Sequence, residues 1–194
     1  MALLKTTGWK PADAEECAYQ YLLEGKFSQA IDAAEKAKNV ELLIAIFHDY
    51  IFVAYSPGNT QVTQALTRLG RWAVGPLAKS ILTTPIQGYP EKQLRRLYER
   101  RRLECEALKD IRDPGAVQAL LEVLHHEPRG FPWKDSDCMV AATHALGEIR
   151  NPEVMEPLLA QLRGSNEEMR TAAAVAISKI GDQRTSNELT KAIY

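Results

Sequence analysis

Three adjacent residues carry side chains of the types that most often bind a metal ion: His125, His126 and Glu127. Neighbouring residues on an α-helix point about 100° apart, so these three side chains do not converge on one ion by themselves. A histidine in the last turn of a helix is instead stabilised by the partial negative charge of the helix end. The sequence therefore predicts no metal site here, and His125 and His126 are kept as candidate partner contacts.

The three cysteines do not form a reactive or metal-binding set. Cys17, Cys105 and Cys138 lie far apart, with no Cys-x-x-Cys spacing, and each lies in an apolar helical context. Such cysteines are typical of buried free thiols in a reducing compartment. No nucleophile–base–acid set and no glycine-rich phosphate loop with its lysine is evident. The sequence therefore indicates no catalytic residues and no cofactor, and favours a binding protein over an enzyme.

Aromatic residues in an inserted polar loop are the first candidate binding feature. The segment HHEPRGFPWKDSD, residues 125–137, holds a seven-residue excess over the corresponding linker further along the chain. Phe131 and Trp133 lie there between prolines and charges, and large aromatic side chains in polar loops are typical contact anchors. The alternative is that both rings fold back onto the helices beneath them.

An arginine-rich helix, KQLRRLYERRRLE at residues 92–104, is the second candidate. Its apolar residues form one helical stripe. The arginines that lie beside or away from this stripe are Arg95, Arg96, Arg100 and Arg102. They predict a basic face able to hold phosphate or an acidic protein. Because neighbouring glutamates dilute the charge, an ordinary solvated helix face is the favoured interpretation.

Arg101 differs from these arginines because it falls within the apolar stripe. It stands six residues before Ala107, as Arg170 stands six residues before Ala176. We expect Arg101 to snorkel or to pair with a turn acid such as Asp113 or Asp182, which is a structural role.

The elements that position these residues recur along the chain. The phrase ALKDIRDPGAVQALLEVL at residues 107–124 is repeated as ALGEIRNPEVMEPLLAQL at residues 145–162, and weaker copies begin at Ala65 and Ala176. The copies start 42, 38 and 31 residues apart. The shortest interval fits one helical hairpin per repeat.

Each phrase has the pattern of a helix end, a turn and a second helix. Asp113, Asn151 and Asp182 are suitable N-caps, and Pro114 and Pro152 suit the first position of the helix that follows. The second helix carries a leucine stripe that a lone hairpin cannot bury. Stacked hairpins do bury it, so the repetition predicts an all-α fold, an α-solenoid.

These phrases resemble the HEAT-like repeats named after phycobilisome (PBS) lyases. The residues that match the family pattern are Gly70, Ala73, Val74, Pro76 and Leu77 for its second half, and Arg170, Ala173, Ala176, Ile180, Gly181 and Asp182 for its first half. The resemblance covers residues 61–194 and implies a scaffold of stacked hairpins. It also implies an alternative function, that of a bilin lyase or a chaperone-like, phycobilisome-handling subunit that acts with a partner chain.

The first third of the chain has a different pattern. The segment CAYQYLLEGKFSQAIDAAEKA, residues 17–37, is similar to a tetratricopeptide (TPR) hairpin with Gly25 at its turn. Only one such unit is visible. Residues 1–60 are therefore predicted to form a TPR-like cap and residues 61–194 the HEAT-like array, with the turn cluster SPGNT as the boundary.

Composition and charge narrow the class of protein. The 194 residues are 45% hydrophobic and 25% charged, and their net charge of −1 favours no particular partner. The chain shows neither a signal-peptide pattern nor an apolar run long enough to span a membrane, so we expect a cytoplasmic protein. Residues 61–112 hold 11 basic and 5 acidic residues between acidic ends. This distribution is compatible with an acidic partner surface, but self-complementary packing or random drift is the favoured interpretation.

Together these features predict a non-catalytic scaffold that binds another protein and forms a hetero-oligomer with it. Contacts are expected from the inserted loop and from polar residues of the inner helices: Lys79, Glu122 and Gln161. The bilin-lyase function is the first alternative. Nucleic-acid binding by the basic middle of the chain is a second, less favoured alternative.

Overall fold

The computed structural model describes residues 13–50, 57–83, 90–125 and 135–181. These ranges contain ten α-helices, two short 3₁₀ turns and no β-strand. The helices are α1 (Ala14–Leu23), α2 (Phe27–Lys36), α3 (Val40–Tyr50), α4 (Pro57–Leu69), α5 (Arg71–Thr83), α6 (Glu91–Ile111), α7 (Val117–His125), α8 (Asp135–Ile149), α9 (Met155–Leu162) and α10 (Glu167–Ile180). The 3₁₀ turns, Pro114–Ala116 and Pro152–Val154, lead directly into α7 and α9.

The helices stack in two rows. The first row is α2, α4, α6, α8 and α10, in which each helix packs on the next. The second row is α3, α5, α7 and α9, and each of these packs against the first-row helix that follows it in the chain. This alternation buries an apolar stripe of every helix against the neighbouring repeat, so the predicted all-α solenoid is confirmed.

The same backbone turn ends every first-row helix. The residues that adopt the left-handed conformation there, with φ between 55° and 64°, are Lys38, Gly70, Arg112, Arg150 and Gly181. Five residues before each stands a buried alanine: Ala33, Ala65, Ala107, Ala145 and Ala176. The last four are the starts found by sequence alignment. The structure adds a fifth repeat, formed by α2 and α3, which begins 32 residues before Ala65.

Side chains of the turns cap the second-row helices. Asp113 and Asn151 accept hydrogen bonds from the backbone amides two residues on, at 2.8 and 2.9 Å. Pro114 and Pro152 follow them as the first residues of the 3₁₀ turns, so both predicted cap-and-proline starts are confirmed. Asn39 caps α3 in a similar way and accepts from the amide three residues on, at 2.8 Å.

Helix α1 precedes the array and packs on α2. Gly25 lies between them with a φ of 72°, a conformation that glycine adopts without a Cβ clash. Helix α2 thus belongs both to the hairpin predicted for residues 17–37 and to the first repeat. The predicted boundary at residue 60 falls within α4, which packs on α2 and α3, and the division into two domains stays a prediction.

Candidate interaction surface

The polar residues predicted to bind a partner lie on the second row of helices. Lys79 is exposed on α5, whereas Glu122 on α7 and Gln161 on α9 are half-buried. His125 is exposed and is the last residue of α7. Because α5 packs on α7, Lys79 and Glu122 belong to neighbouring helices of one row. Their contact with a partner stays a prediction.

Five residues singled out from the sequence lie outside the described residues. They are His126, Glu127, Phe131 and Trp133 of the inserted loop and the turn residue Asp182. The partner contacts and the N-cap among them stay predictions.

The arginines of α6 are divided between the interior and the surface. Arg100 is buried, and its Nε lies 3.4 Å from Glu104 Oε1. Arg102 is half-buried and forms ion pairs with Glu99, at 2.8 Å, and with Glu106. The other two members of the predicted basic face are Arg96, which is half-buried, and Arg95, whose side chain lies outside the described residues. The surface charge of this helix is therefore smaller than the sequence suggests.

A buried polar cluster joins α5 to α6. Ser80 Oγ donates a hydrogen bond to Glu104 Oε1 at 2.7 Å, and Glu104 is fully buried. Burial raises the pKa of the Glu104 carboxyl, while the Arg100 charge and the Ser80 hydroxyl oppose that rise. Arg101, only 4% exposed, donates to the Ile81 carbonyl oxygen at 2.9 Å. Both arginines thus serve the packing of one repeat on the next, and Arg101 reaches a backbone carbonyl of the preceding helix.

The described residues show neither a metal cluster nor a membrane span. No group of three or more His, Cys, Asp or Glu side chains within these ranges could hold a metal ion. Within the same ranges, no helix is long and apolar enough to cross a bilayer. Cys105 and Cys138 are buried thiols, and Cys17 is a half-buried one. Burial raises the pKa of the Cys105 thiol well above its ordinary value, which disfavours the nucleophilic thiolate.

The left-handed turns are joined to one another by side-chain contacts, and we call this surface the turn edge. Its members are Lys38, Arg71, Trp72, Arg112, Asp113, Glu148, Arg150, Glu153 and Lys179. Four contacts link successive repeats along it: Lys38 Nζ to the Trp72 ring centroid at 5.8 Å, Arg71 Nε to Asp113 Oδ2 at 3.9 Å, Arg112 Nη2 to Glu148 Oε2 at 3.0 Å, and Lys179 Nζ to Glu148 Oε1 at 2.6 Å.

Trp72 is the most exposed large hydrophobic residue of the described part of the chain, at 69%. It is the second residue of α5 and follows the left-handed Gly70 and the exposed Arg71. Sequence reasoning placed a turn here but passed over the tryptophan. The available signal was a large aromatic residue in a polar turn, the same signal that drew attention to the inserted loop.

Two cationic side chains, those of Arg112 and Lys179, form ion pairs with the Glu148 carboxylate. The hydrogen bond from Lys179, with the charges of Arg112 and Arg150, holds the pKa of the Glu148 carboxyl below its ordinary value. One helical turn earlier, half-buried His144 has a lowered pKa, chiefly because of burial and then because of nearby lysines, Lys179 among them. The anionic form of Glu148 is therefore stabilised at this part of the turn edge.

Residues 135–194 match the family model described as HEAT repeats, which includes α8, α9 and α10. The chain carries HEAT-like repeats. The earlier hairpins share with the matched part the buried alanine and the left-handed turn. No curated protein matches the sequence.

Proposed function

We propose that this chain is a non-catalytic scaffold that binds another protein through its HEAT-like solenoid. Stacked helical hairpins form extended, continuous surfaces, and HEAT repeats commonly mediate contacts between proteins.

The observation that carries this proposal is the distribution of the charged groups. Glu35, Glu104 and Glu148 are described carboxylates with a shifted pKa. Each bonds a side chain of an adjoining repeat: Arg68 at 2.6 Å, Ser80 at 2.7 Å and Lys179 at 2.6 Å, respectively. In an enzyme, the titratable groups with shifted pKa values tend to lie together in one cleft. Here they are spread along the array and hold its repeats together, which supports a structural scaffold.

The test is affinity capture from a lysate of the source organism, with the immobilised chain as bait. We expect a small, reproducible set of proteins, one of which co-elutes with the purified chain as a defined complex in size-exclusion chromatography. A bait that retains no more protein than an unrelated helical protein of similar charge would overturn the proposal. A Phe131→Ala, Trp133→Ala double variant tests the loop separately. If this variant captures the same proteins at the same level, the loop is not a binding site, and the scaffold proposal is unaffected.

The two alternatives are tested by different reagents. For the bilin-lyase function, the chain is mixed with a bilin and an acceptor protein, and a new visible absorption band is sought. For nucleic-acid binding, a mobility shift with single-stranded or duplex DNA that survives moderate salt would support it, and the absence of any shift would exclude it. The HEAT-repeat match is broader than either function and favours neither.

A further inference from the structure

We infer that the turn edge is a docking site for an acidic, extended segment of a partner protein, with Trp72 as its apolar anchor. This inference rests on the proposed scaffold function and adds to it the surface used and the chemistry of the segment bound. Three independent observations support it: the exposure of Trp72, the residue types in the left-handed turns, and the balance of charge along the edge.

The first observation is Trp72 itself. Tryptophan and arginine are the residues most enriched among those that dominate binding energy at protein interfaces. Trp72 leaves 69% of its surface in water, next to an Arg71 side chain that is 84% exposed. The Lys38 ammonium, 5.8 Å from the ring centroid, holds a positive charge beside the indole. An apolar side chain of the partner can cover the indole ring while a neighbouring carboxylate pairs with these cations.

The second observation is that three of the five left-handed turns use a basic residue. Lys38, Arg112 and Arg150 have φ between 55° and 58°, where any side chain with a Cβ is sterically disfavoured. The equivalent positions in the other two repeats are Gly70 and Gly181, which carry no such cost. When a residue other than glycine occupies such a sterically disfavoured position, a function of its side chain is suggested. All three basic residues are exposed on the same edge.

The third observation is the charge balance of the turn edge. Its cations are Lys38, Arg71, Arg112, Arg150 and Lys179, and its carboxylates are Asp113, Glu148 and Glu153. Asp113 and Glu148 are engaged within the fold, the first by the Gly115 amide and the second by Arg112 and Lys179. The edge therefore attracts anions, but carboxylates recur between its cations.

This interleaving favours a peptide over a nucleic acid. A nucleic acid places a phosphate on every nucleotide, so a continuous phosphate backbone would meet Asp113, Glu148 and Glu153 along this surface. An extended peptide can place glutamates or aspartates only where a cation faces them, and an apolar residue where Trp72 stands. Charge complementarity of this local kind gives specificity as well as attraction.

The test is fluorescence anisotropy with a labelled peptide of about 14 residues that holds glutamates around two leucines, at moderate salt. We expect saturable binding to the wild-type chain, and binding about tenfold weaker for Trp72→Ala and for Lys38→Gly. Lys38→Gly removes the charge at a position where glycine fits the backbone, so circular dichroism should show an undiminished melting temperature. Matched controls are Tyr19→Ala, an exposed aromatic on α1, and Lys26→Ala, an exposed lysine at the opposite end of α2 from Lys38; neither should change the affinity.

Three outcomes would overturn the inference: no binding of the peptide by the wild-type chain, equal binding of a peptide with glutamines in place of its glutamates, or tighter binding of an oligonucleotide of equal length. Each leaves the scaffold proposal standing if the chain still captures a partner from lysate. A partner that binds the wild-type chain and the Trp72→Ala variant equally would exclude the turn edge as the binding site and would leave the scaffold proposal standing. Failure of the scaffold proposal is recognised separately, by the absence of any captured partner.

Discussion

Gly147 of α8 lies directly against Ala176 of α10. A Cβ atom built on residue 147 would stand 2.6 Å from Ala176 Cα and 2.8 Å from its Cβ. Ala176 is also the buried alanine that recurs five residues before each left-handed turn. Glycine on one helix and alanine on the next therefore set how closely the last two described first-row helices approach.

Gly147→Ala should destabilise the fold, although alanine is the better helix former. The added methyl meets backbone atoms of α10, which cannot rotate away, so the two helices must separate. We expect a net loss of about 1–3 kcal/mol in the free energy of unfolding, measured by urea denaturation.

Gly75→Ala in α5 is the matched control, because a Cβ there meets nothing within 4 Å. Its helix-propensity gain of about 1 kcal/mol is opposed by the steric effect of the following Pro76, so little change is expected. Equal stabilities of the two variants would show that α8 and α10 separate at no cost.

The sequence predicted the repeats whose turns carry proline and an acidic or amide cap. Asp113 with Pro114, and Asn151 with Pro152, are local signals, since each acts on amides within a few residues. The repeat that begins at Ala33 was missed because its turn contains Lys38 and Asn39, with neither glycine nor proline. A lysine in the left-handed conformation cannot be recognised from residue type.

The turn edge and the burial of Arg100 could not be predicted from local patterns. Lys38 and Trp72 are 34 residues apart, and their contact depends on how two repeats stack. The stripe on α6 suggested one buried face, but α6 packs against α4, α5 and α8, so it is covered on several sides. Side chains beside the stripe, such as Arg100, are therefore enclosed by neighbouring repeats.

Arg150→Gly should stabilise the protein. Arg150 has a φ of 57°, and its side chain is exposed, so glycine relieves the backbone without opening a cavity. We expect a gain of up to about 1 kcal/mol, seen as a higher urea midpoint. Arg150→Ala keeps the Cβ in the left-handed region and should leave the midpoint nearly unchanged. If the alanine variant proves more stable than the glycine variant, the turn is not strained.

Glu104→Gln should change the pH dependence of stability. The folded-state pKa of Glu104 is raised above 4.5, chiefly by burial, so the native chain holds this proton more tightly than the unfolded chain does. The resulting stabilisation is present below pH 4.5 and is lost as pH rises through the folded pKa. Glutamine does not titrate, so the stability of the wild type relative to this variant should fall between acidic and neutral pH.

Ser80→Ala provides a second check on Glu104. The Ser80 hydroxyl donates to the Glu104 carboxylate and opposes the rise in the pKa of that carboxyl. Removal of the hydroxyl should therefore extend the pH-dependent loss of stability to higher pH. Urea denaturation across the pH range measures both effects. A wild type whose stability relative to Glu104→Gln is constant, or increases with pH, would contradict a raised pKa.

Glu148→Gln should show the opposite pH dependence. Lys179 and Arg112 hold the folded-state pKa of Glu148 below 4.5, so the stabilisation is present above that pH and is lost as pH falls through the folded pKa. Because both cations are partly exposed, we expect a loss of only about 0.5–1 kcal/mol at neutral pH. The loss should shrink at about 1 M salt, where the screening length is about 3 Å. Glu153→Gln, on the same edge but exposed, should have little effect. A loss that persists in acid and in high salt would mean that Glu148 acts through packing, and the turn edge would not be an electrostatic link between repeats.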